Sequence, residues 1–414
     1  MKYGVIGKTL KHSYSPQIHK LFGNSEYGLI ELDENALGEF FRKREFAGVN
    51  VTVPYKQTVM QYLDSIDPAA QAIGCVNTVV NRNGHLTGYN TDIDGLTALI
   101  AHAGLEVCGK NALVLGSGGT SKTAVAALTR LKAANIAVIS RSGDDNYENI
   151  YSKHSDAEII INTTPLGMYP NTDTFAVEPS GFHKLEGLID VVYNPHRTEL
   201  VLRSLESGIR SEGGLYMLVS QARKAHELFF DCELPEDAVD RTVKTLENQM
   251  QNIVLIGMPG SGKSTVGKLI ADKLSRSFYD TDAEIEKQEG ISISEIFAQH
   301  GEQYFRDLET RTVKELSKLS GAVIACGGGT PMRPENRRAV SRNSRTVYLK
   351  RDISELETVG RPLSSSQNAL KEIFIKREPV YKAMCNYAVN VSDDPDVTAE
   401  RVLSAINEEK DSDK

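Results

Sequence analysis

Residues 257–264 read G-M-P-G-S-G-K-S, the spacing G-x-x-x-x-G-K-[ST], between the apolar run "NIVLI" and the helical pattern "STVGKLIADKL". Few stretches of this length constrain a fold so strongly. A strand must feed the loop and a helix must carry the chain away, so that backbone N–H groups converge on an anion at the positive end of the helix. In that arrangement Gly260, Ser261 and Gly262 wrap phosphates, Lys263 reaches the β- and γ-phosphates, and Ser264 coordinates Mg²⁺, with Thr265 beside it. A purely structural loop has no use for this lysine. The segment predicts a parallel α/β domain that binds a nucleoside triphosphate.

At 414 residues the chain has room for two or three domains. The helical pattern "LPEDAVDRTVKTLENQMQ" carries Val239, Val243, Leu246 and Met250 on one stripe just before the "NIVLI" strand, which puts the main boundary near 249–251. A net charge of −8 without a basic block excludes an extended nucleic-acid surface. No apolar stretch reaches the ~20 residues that span a bilayer, and the N-terminus lacks the pattern of a signal peptide. Five scattered cysteines without a C-x-x-C pair read as reduced thiols of a cytoplasmic protein.

Upstream, "LVLGSGGTSKTAV" offers a second glycine loop, Gly116-Ser117-Gly118-Gly119-Thr120, with Ser121 where a dinucleotide fingerprint has its third glycine. The strand that follows decides between cofactors. An NAD site expects an acidic residue at its end to hold the ribose 2′-hydroxyl, but "IAVIS" runs into Ser140-Arg141-Ser142, which suits the 2′-phosphate of NADP. The almost continuously apolar runs "NALVLG", "NIAVIS", "AEIIIN" and "GLIDVVYN" predict a parallel sheet covered on both faces.

Two further segments place polar groups together. "CVNTVVNRNGHLTGYNTD" centres on Asn83-Gly84, a pair that favours a two-residue type I′ turn. Asn77 then faces Asn90 and Cys75 faces Asp92, and alternation sets Asn77, Asn90 and Asp92 on one face of the ribbon. In "GVNVTVPYK" the same alternation turns Val49, Val51 and Val53 inward and Asn50 and Thr52 the other way, with Lys56 just past the strand. A lysine and an aspartate facing one pocket tune each other's proton affinity, and such a pair can give a proton to a carbonyl oxygen while hydride reaches its carbon.

"HSYSP" (12–16), "NVTVPYK" (50–56), "GCVNTV" (74–79), "GYNTDIDG" (88–95), "GSGGTS", "SRS", "INTTPLGM" (161–168), "VVYNP" (191–195) and "GGLYMLVSQA" (213–222) resemble shikimate dehydrogenase, in order through residues 1–245. The resemblance implies Lys56 and Asp92 as the catalytic pair. It gives Ser13, Ser15, Thr52, Asn77, Asp92, Tyr193 and Gln221 to the substrate's carboxylate and hydroxyls, and sets Val191 and Gly214 beside the nicotinamide. Gln221 lies on the margin of an apolar helical stripe, on the side of Gly214 and Met217. One feature departs from the family: Asp144 and Asp145 stand where a further basic residue is usual. An aspartate near a dianionic phosphate weakens binding, so the expectation is NADP with a reduced preference over NAD.

In the second half "FYDTD" puts Asp280 and Asp282 on one side of a strand end by alternation. "GEQYFRDLE" carries Arg306 with Glu309 one turn on, "CGGG" lets backbone approach a ligand, and "GRPL" and "KREPVY" supply Arg361 and Arg377. Together with the loop these resemble shikimate kinase across residues 252–408. By that resemblance Arg306 and Arg377 clamp the substrate carboxylate, a task guanidinium suits better than ammonium. Asp282 accepts the proton of the attacking hydroxyl, Gly328 contacts the ring hydroxyls, and Asp280 holds Mg²⁺ through water. Arg361 rides on a lid (roughly 351–368) that closes over ATP.

The expected architecture is α/β: a substrate-binding α/β domain (1–93 with 216–248), a Rossmann NADP domain (94–215) and a P-loop kinase domain with a parallel sheet (251–410). The expected reaction is NADPH-dependent reduction of 3-dehydroshikimate to shikimate, then ATP-dependent phosphorylation to shikimate 3-phosphate, with no nucleic-acid or membrane partner. Quinate in the first half, another small hydroxy-acid in the second, and a non-catalytic metabolite sensor are the alternatives that remain at this point.

Overall fold

The short β-branched runs become strands of three sheets in the computed structural model, which describes residues 2–10, 13–356 and 367–407. The first sheet holds β1 (Tyr3–Gly7), β2 (Tyr27–Glu31), β3 (Gly48–Val51), β4 (Ser65–Ile66), β5 (Thr78–Arg82) and β6 (His85–Tyr89), in the order β2-β1-β3-β5-β6-β4. β1 runs parallel to β2 and β3, whereas β5 is antiparallel to β3 and β6. The hairpin register is the expected one. Arg82 pairs with His85, and Asn83 and Gly84 take the positive φ values (52° and 89°) that a type I′ turn requires. Val53 departs from the expectation: β3 ends at Val51, and Val53 is 73% exposed while Val49 and Val51 are buried.

The second sheet, β7 (Asn111–Leu115), β8 (Asn135–Ile139), β9 (Ile159–Asn162), β10 (Gly187–Asp190) and β11 (Arg210–Glu212), is parallel throughout, in the order β11-β10-β9-β7-β8. Ile159, Ile160 and Ile161 are all fully buried, so successive side chains on both faces are covered, as the continuous apolar run implied. Helix Leu215–Phe230 then returns to the first sheet, where Ala225 and Phe229 join Val5, Tyr27 and Val80 in one cluster. On its way it crosses helix Asp92–His102 at very short range. A Cβ on Gly95 would lie 2.7 Å from the Met217 carbonyl oxygen, so only glycine allows this crossing.

The third sheet, β12 (Asn252–Ile256), β13 (Phe278–Asp280), β14 (Val323–Ala325), β15 (Ser344–Lys350) and β16 (Tyr387–Asn390), is parallel in the order β13-β14-β12-β15-β16. The chain divides into two compact units, Met1–Leu246 and Glu247–Lys414. The division falls inside helix Ala238–Met250, a few residues ahead of the expected 249–251. Among the described residues no helix is long and apolar enough to cross a membrane.

Candidate active sites

In the first unit the turn after β3 delivers Lys56, and the first turn of helix Asp92–His102 delivers Asp92. Lys56 Nζ donates to Asp92 Oδ2 at 2.5 Å, with the two side chains 23% and 14% exposed. Burial disfavours the ammonium, but the carboxylate charge and this hydrogen bond outweigh it and raise the Lys56 pKa above its ordinary value. Asp92 Oδ1 accepts from Asn77 Nδ2 at 2.8 Å. Asn90 does not face the pair as a third ribbon residue. Its Oδ1 accepts from the backbone N–H of Asp92 and Ile93 and holds the start of the helix. Asp92 is therefore presented by a helix end and not by strand alternation.

The pair opens on a cavity of about 210 Å³ whose wall includes Ser15, Thr52, Asn77, Tyr193 and Gln221. Val191, Gly214 and Thr120 line the same cavity. Ser13 is not among the lining residues; its Oγ accepts from the Ser15 N–H at 3.3 Å. Tyr193 packs edge-on against Tyr14, and burial, then that neighbouring phenol, raise its ionisation above the usual range, so it stays a hydrogen-bond donor. Gln221 Nε2 donates to the Leu218 carbonyl at 2.8 Å, and its Oε1 lies 3.4 Å from Thr91 Oγ1.

The loop after β7 fits a dinucleotide. Gly116 has a φ of 103°, and a Cβ there would meet Thr163 Oγ1 at 3.0 Å, whereas the space around Gly118 and Gly119 at the start of helix Gly119–Arg130 is open. Ser121 fits in place of the third glycine because its hydroxyl folds back onto the Gly118 carbonyl at 2.7 Å. Arg141 and Ser142 are exposed, and Ser140 lies half-buried at the end of β8. Asp145 is not left facing a phosphate unbalanced. Lys153 Nζ, at 3.0 Å, and the His154 ring hold its carboxyl below the usual range.

In the second unit Gly257, Gly260 and Gly262 have φ values of 151°, 83° and 86°, the left-handed conformations that the anion-wrapping loop needs. Lys263 Nζ donates to the Gly257 and Met258 carbonyls at 3.1 and 2.9 Å. Ser261 is buried, Thr265 is exposed, and Ser264 Oγ donates to Asp280 Oδ2 at 2.5 Å. That hydroxyl–carboxylate pair beside the loop has the hard oxygen donors Mg²⁺ prefers. β13 ends at Asp280, and Asp282 lies in the first turn of helix Thr281–Glu289, where its N–H donates to Asp280 Oδ1 at 3.0 Å. Helix capping joins the two acids where alternation was expected to.

Asp282, Arg306, Gly328 and Arg377 share a cavity of about 380 Å³ with Gly260 and Lys263. Burial, then the charges of Asp280 and Glu309, push the Asp282 carboxyl up to about 6, against the pull of Lys263 and Arg306. Arg306 donates to Glu309 at 3.0 Å and to Glu302 at 3.2 Å. The three glycines of "CGGG" each press on a different functional side chain. A Cβ on Gly327 would lie 2.6 Å from Asp282 Oδ1, one on Gly328 2.8 Å from Pro259 and 3.1 Å from Arg377 Nη1, and one on Gly329 would overlap the Arg306 guanidinium. Arg361, most of the expected lid and residues 408–410 lie outside the described residues.

Sequence reasoning gave Glu309 no role, yet it is 1% exposed and accepts from both Arg306 and the Thr330 hydroxyl. The signal was present: it falls on the same buried helical stripe as Phe305, Leu308, Thr312 and Val313. Phe297 and Phe305 also line this cavity, but their spacing reads as ordinary core.

Residues 259–407 match the family model for shikimate kinase, and residues 5–79 match that for the shikimate dehydrogenase substrate binding domain. The shikimate dehydrogenase (NADP(+)) of Clostridium beijerinckii is 37% identical over 267 residues, covering 60% of this chain and 99% of that protein. Among solved structures, shikimate dehydrogenase 1 from Peptoclostridium difficile is 37% identical with a TM-score of 0.54, covering 59% of this chain and 98% of its own. A chorismate mutase/shikimate 5-dehydrogenase fusion protein from Clostridium acetobutylicum is 34% identical with a TM-score of 0.56, covering 59% and 96%.

Proposed function

The chain belongs to the shikimate dehydrogenase family and carries a shikimate kinase domain behind it, and from that premise we propose how its own residues divide two consecutive reactions. It is a bifunctional enzyme that reduces 3-dehydroshikimate to shikimate with NADPH and phosphorylates shikimate to shikimate 3-phosphate with ATP and Mg²⁺. Residues 1–93 with 216–248 bind the first substrate, 94–215 bind NADP(H), and 251–410 form the kinase. The protein works in the cytoplasm.

NADPH, when bound, supplies hydride to the carbonyl carbon. Lys56 gives the carbonyl oxygen its proton, and Asp92 keeps the lysine charged and aimed. Ser13, Ser15, Thr52, Asn77, Tyr193 and Gln221 hold the substrate's carboxylate and hydroxyls. Gly116, Ser117, Gly118, Gly119 and Thr120 face the pyrophosphate, Ser140, Arg141 and Ser142 the 2′-phosphate, and Val191 and Gly214 the nicotinamide. In the second half Asp282, with a proton affinity near neutrality, takes the proton of the substrate hydroxyl. Arg306 and Arg377 clamp the carboxylate and Gly328 meets the ring hydroxyls. Gly260, Ser261, Gly262, Lys263 and Thr265 hold the ATP phosphates, and Ser264 and Asp280 hold Mg²⁺, which screens the charge of those phosphates when bound.

One observation carries this reading. Each unit contains a cavity whose wall runs from an acid–base group to the first turn of the helix behind its glycine loop: Asp92 to Thr120 in one, Asp282 to Lys263 in the other. The test supplies the full chain with 3-dehydroshikimate, NADPH, ATP and Mg²⁺. Shikimate 3-phosphate should form, Asp282→Asn should stop the sequence at shikimate, and Asp92→Asn should leave NADPH unoxidised. Shikimate 3-phosphate formation by either variant at the wild-type rate would overturn the assignment.

A further inference from the structure

Asn50 lines the first cavity yet has no part in the chemistry above. Its contacts belong to a buried chain of hydrogen bonds that ends on Asp92. A carboxylate only accepts, so Asn77 must turn its amide nitrogen to Asp92 Oδ1, at 2.8 Å. The Asn77 carbonyl oxygen then points inward, accepting from the Thr91 N–H at 2.7 Å and the Thr78 hydroxyl at 3.1 Å. Thr78 Oγ1 accepts in turn from Asn50 Nδ2 at 2.9 Å. Asn50 Oδ1 in turn accepts from the Tyr27 hydroxyl at 2.7 Å. Tyr27, Asn50, Thr78 and Asn77 are all less than 9% exposed, so these groups are largely screened from water. Burial also keeps the Tyr27 phenol protonated, and His19, stacked on its ring at 3.9 Å, holds it in place.

The Thr91 hydroxyl lies beside the series, 3.0 Å from Asn77 Nδ2 and 3.3 Å from Thr78 Oγ1, so Thr91 and the series together set the direction of the Asn77 amide. We propose that Tyr27, Asn50 and Thr78 are positioning residues that, together with the Thr91 N–H, lock the Asn77 amide in the one orientation able to donate to Asp92 and keep its place against the substrate. This rests on Asp92 and Asn77 acting in the reductase as assigned above. With the chain broken, Thr91 is left to hold the Asn77 carbonyl inward without Thr78, and the looser amide weakens substrate binding and turnover together.

The test is steady-state kinetics of the full chain carrying Thr78→Val, which keeps the side-chain shape and removes the relay hydroxyl. KM for 3-dehydroshikimate should rise about five- to tenfold and reductase kcat should fall about tenfold. KM for NADPH and the kinase rate should stay within about twofold of wild type. Thr78→Ser, which restores the hydroxyl, should bring KM for 3-dehydroshikimate back to within about twofold. A purely structural role would instead reduce the active fraction, lowering kcat with every KM unchanged; that outcome overturns the proposal. Should Thr78→Val not fold, Tyr27→Phe removes only the first donor and should raise the same KM about threefold; an unchanged KM counts against the relay. Asp92→Asn separates the two readings. If it retains wild-type turnover, the site assignment fails; if it abolishes turnover while Thr78→Val leaves KM untouched, the relay alone fails.

Discussion

The two cavities meet a carboxylated, hydroxylated ring with opposite electrostatics. In the first, the one cation of the reacting pair, Lys56, is already matched by Asp92, and the rest of the assigned substrate wall is neutral: hydroxyls, amides and a phenol. In the second, three carboxylates crowd together, Asp280, Asp282 and Glu309, and Arg306, Arg377 and Lys263 face them. The difference follows from the chemistry each must do. A proton donor is best kept charged by a single partner, whereas a proton acceptor must be made basic, and like charges with burial do that. One molecule can thus be read by two unrelated sets of contacts, provided each set leaves its acid–base group in the protonation state the step needs.

The largest expected effect breaks the comparison outright. Lys56→Ala should lower reductase turnover about a thousandfold and leave the kinase untouched, and Asp282→Asn should do the reverse, measured as NADPH oxidation and ADP release on the same preparation. Next comes recognition. Arg306→Ala should raise the kinase KM for shikimate about fiftyfold, because a charge-assisted contact is lost, while Ser15→Ala should raise the reductase KM only about fivefold. Equal losses would mean that the charged and neutral walls do not differ as described.

Acidity sharpens the contrast at about tenfold. Asp282 must be deprotonated to act and its carboxyl lies near 6, so kinase kcat/KM should fall about tenfold from pH 7 to pH 5. The same shift has the opposite sign for stability. A carboxyl whose folded pKa exceeds its unfolded value binds its proton on folding, so the second unit should gain stability as pH falls through about 6, and Asp282→Asn should remove that gain in thermal melts. Lys56, with its pKa raised, stays charged throughout the neutral range, and its contribution to stability is lost only as pH rises past its folded value. In Asp92→Asn burial is opposed only by the weaker pull of Cys75, and the alkaline loss of stability attributable to Lys56 should move down in pH in thermal melts. The smallest effect concerns the cofactor. Lys153→Ala frees the charge of Asp145 and should reduce the NADPH-to-NADH ratio of kcat/KM about threefold; an unchanged ratio would show that Asp145 does not sense the 2′-phosphate.

What could be read from the chain beforehand was local. Both glycine loops, the Asn83-Gly84 turn and the parallel strands depend on neighbours in sequence, and each formed where its pattern stood. Three misplacements share one cause. Val53, Asp92 and Asp282 were assigned by carrying strand alternation two or three residues past the strand, where the backbone had already turned or begun a helix. The remainder lay in distant pairings. Nothing at Asn50 names Thr78 and Tyr27 as partners, and nothing at Glu309 names Thr330, because those contacts exist only once the sheets and helices pack.

The bare backbone of residues 327–329 has a consequence for drift under selection. A wall without side chains offers nothing to trim or exchange, and even one added methyl would press on Asp282, Pro259 or Arg306 in turn. Any change of taste in that chamber, towards a larger or differently charged guest, is therefore more readily made at the side chains of Ile293, Phe297, Phe305 and Ile373 or by giving up an arginine. The triplet works as a fixed jig against which only the opposite side can be retooled.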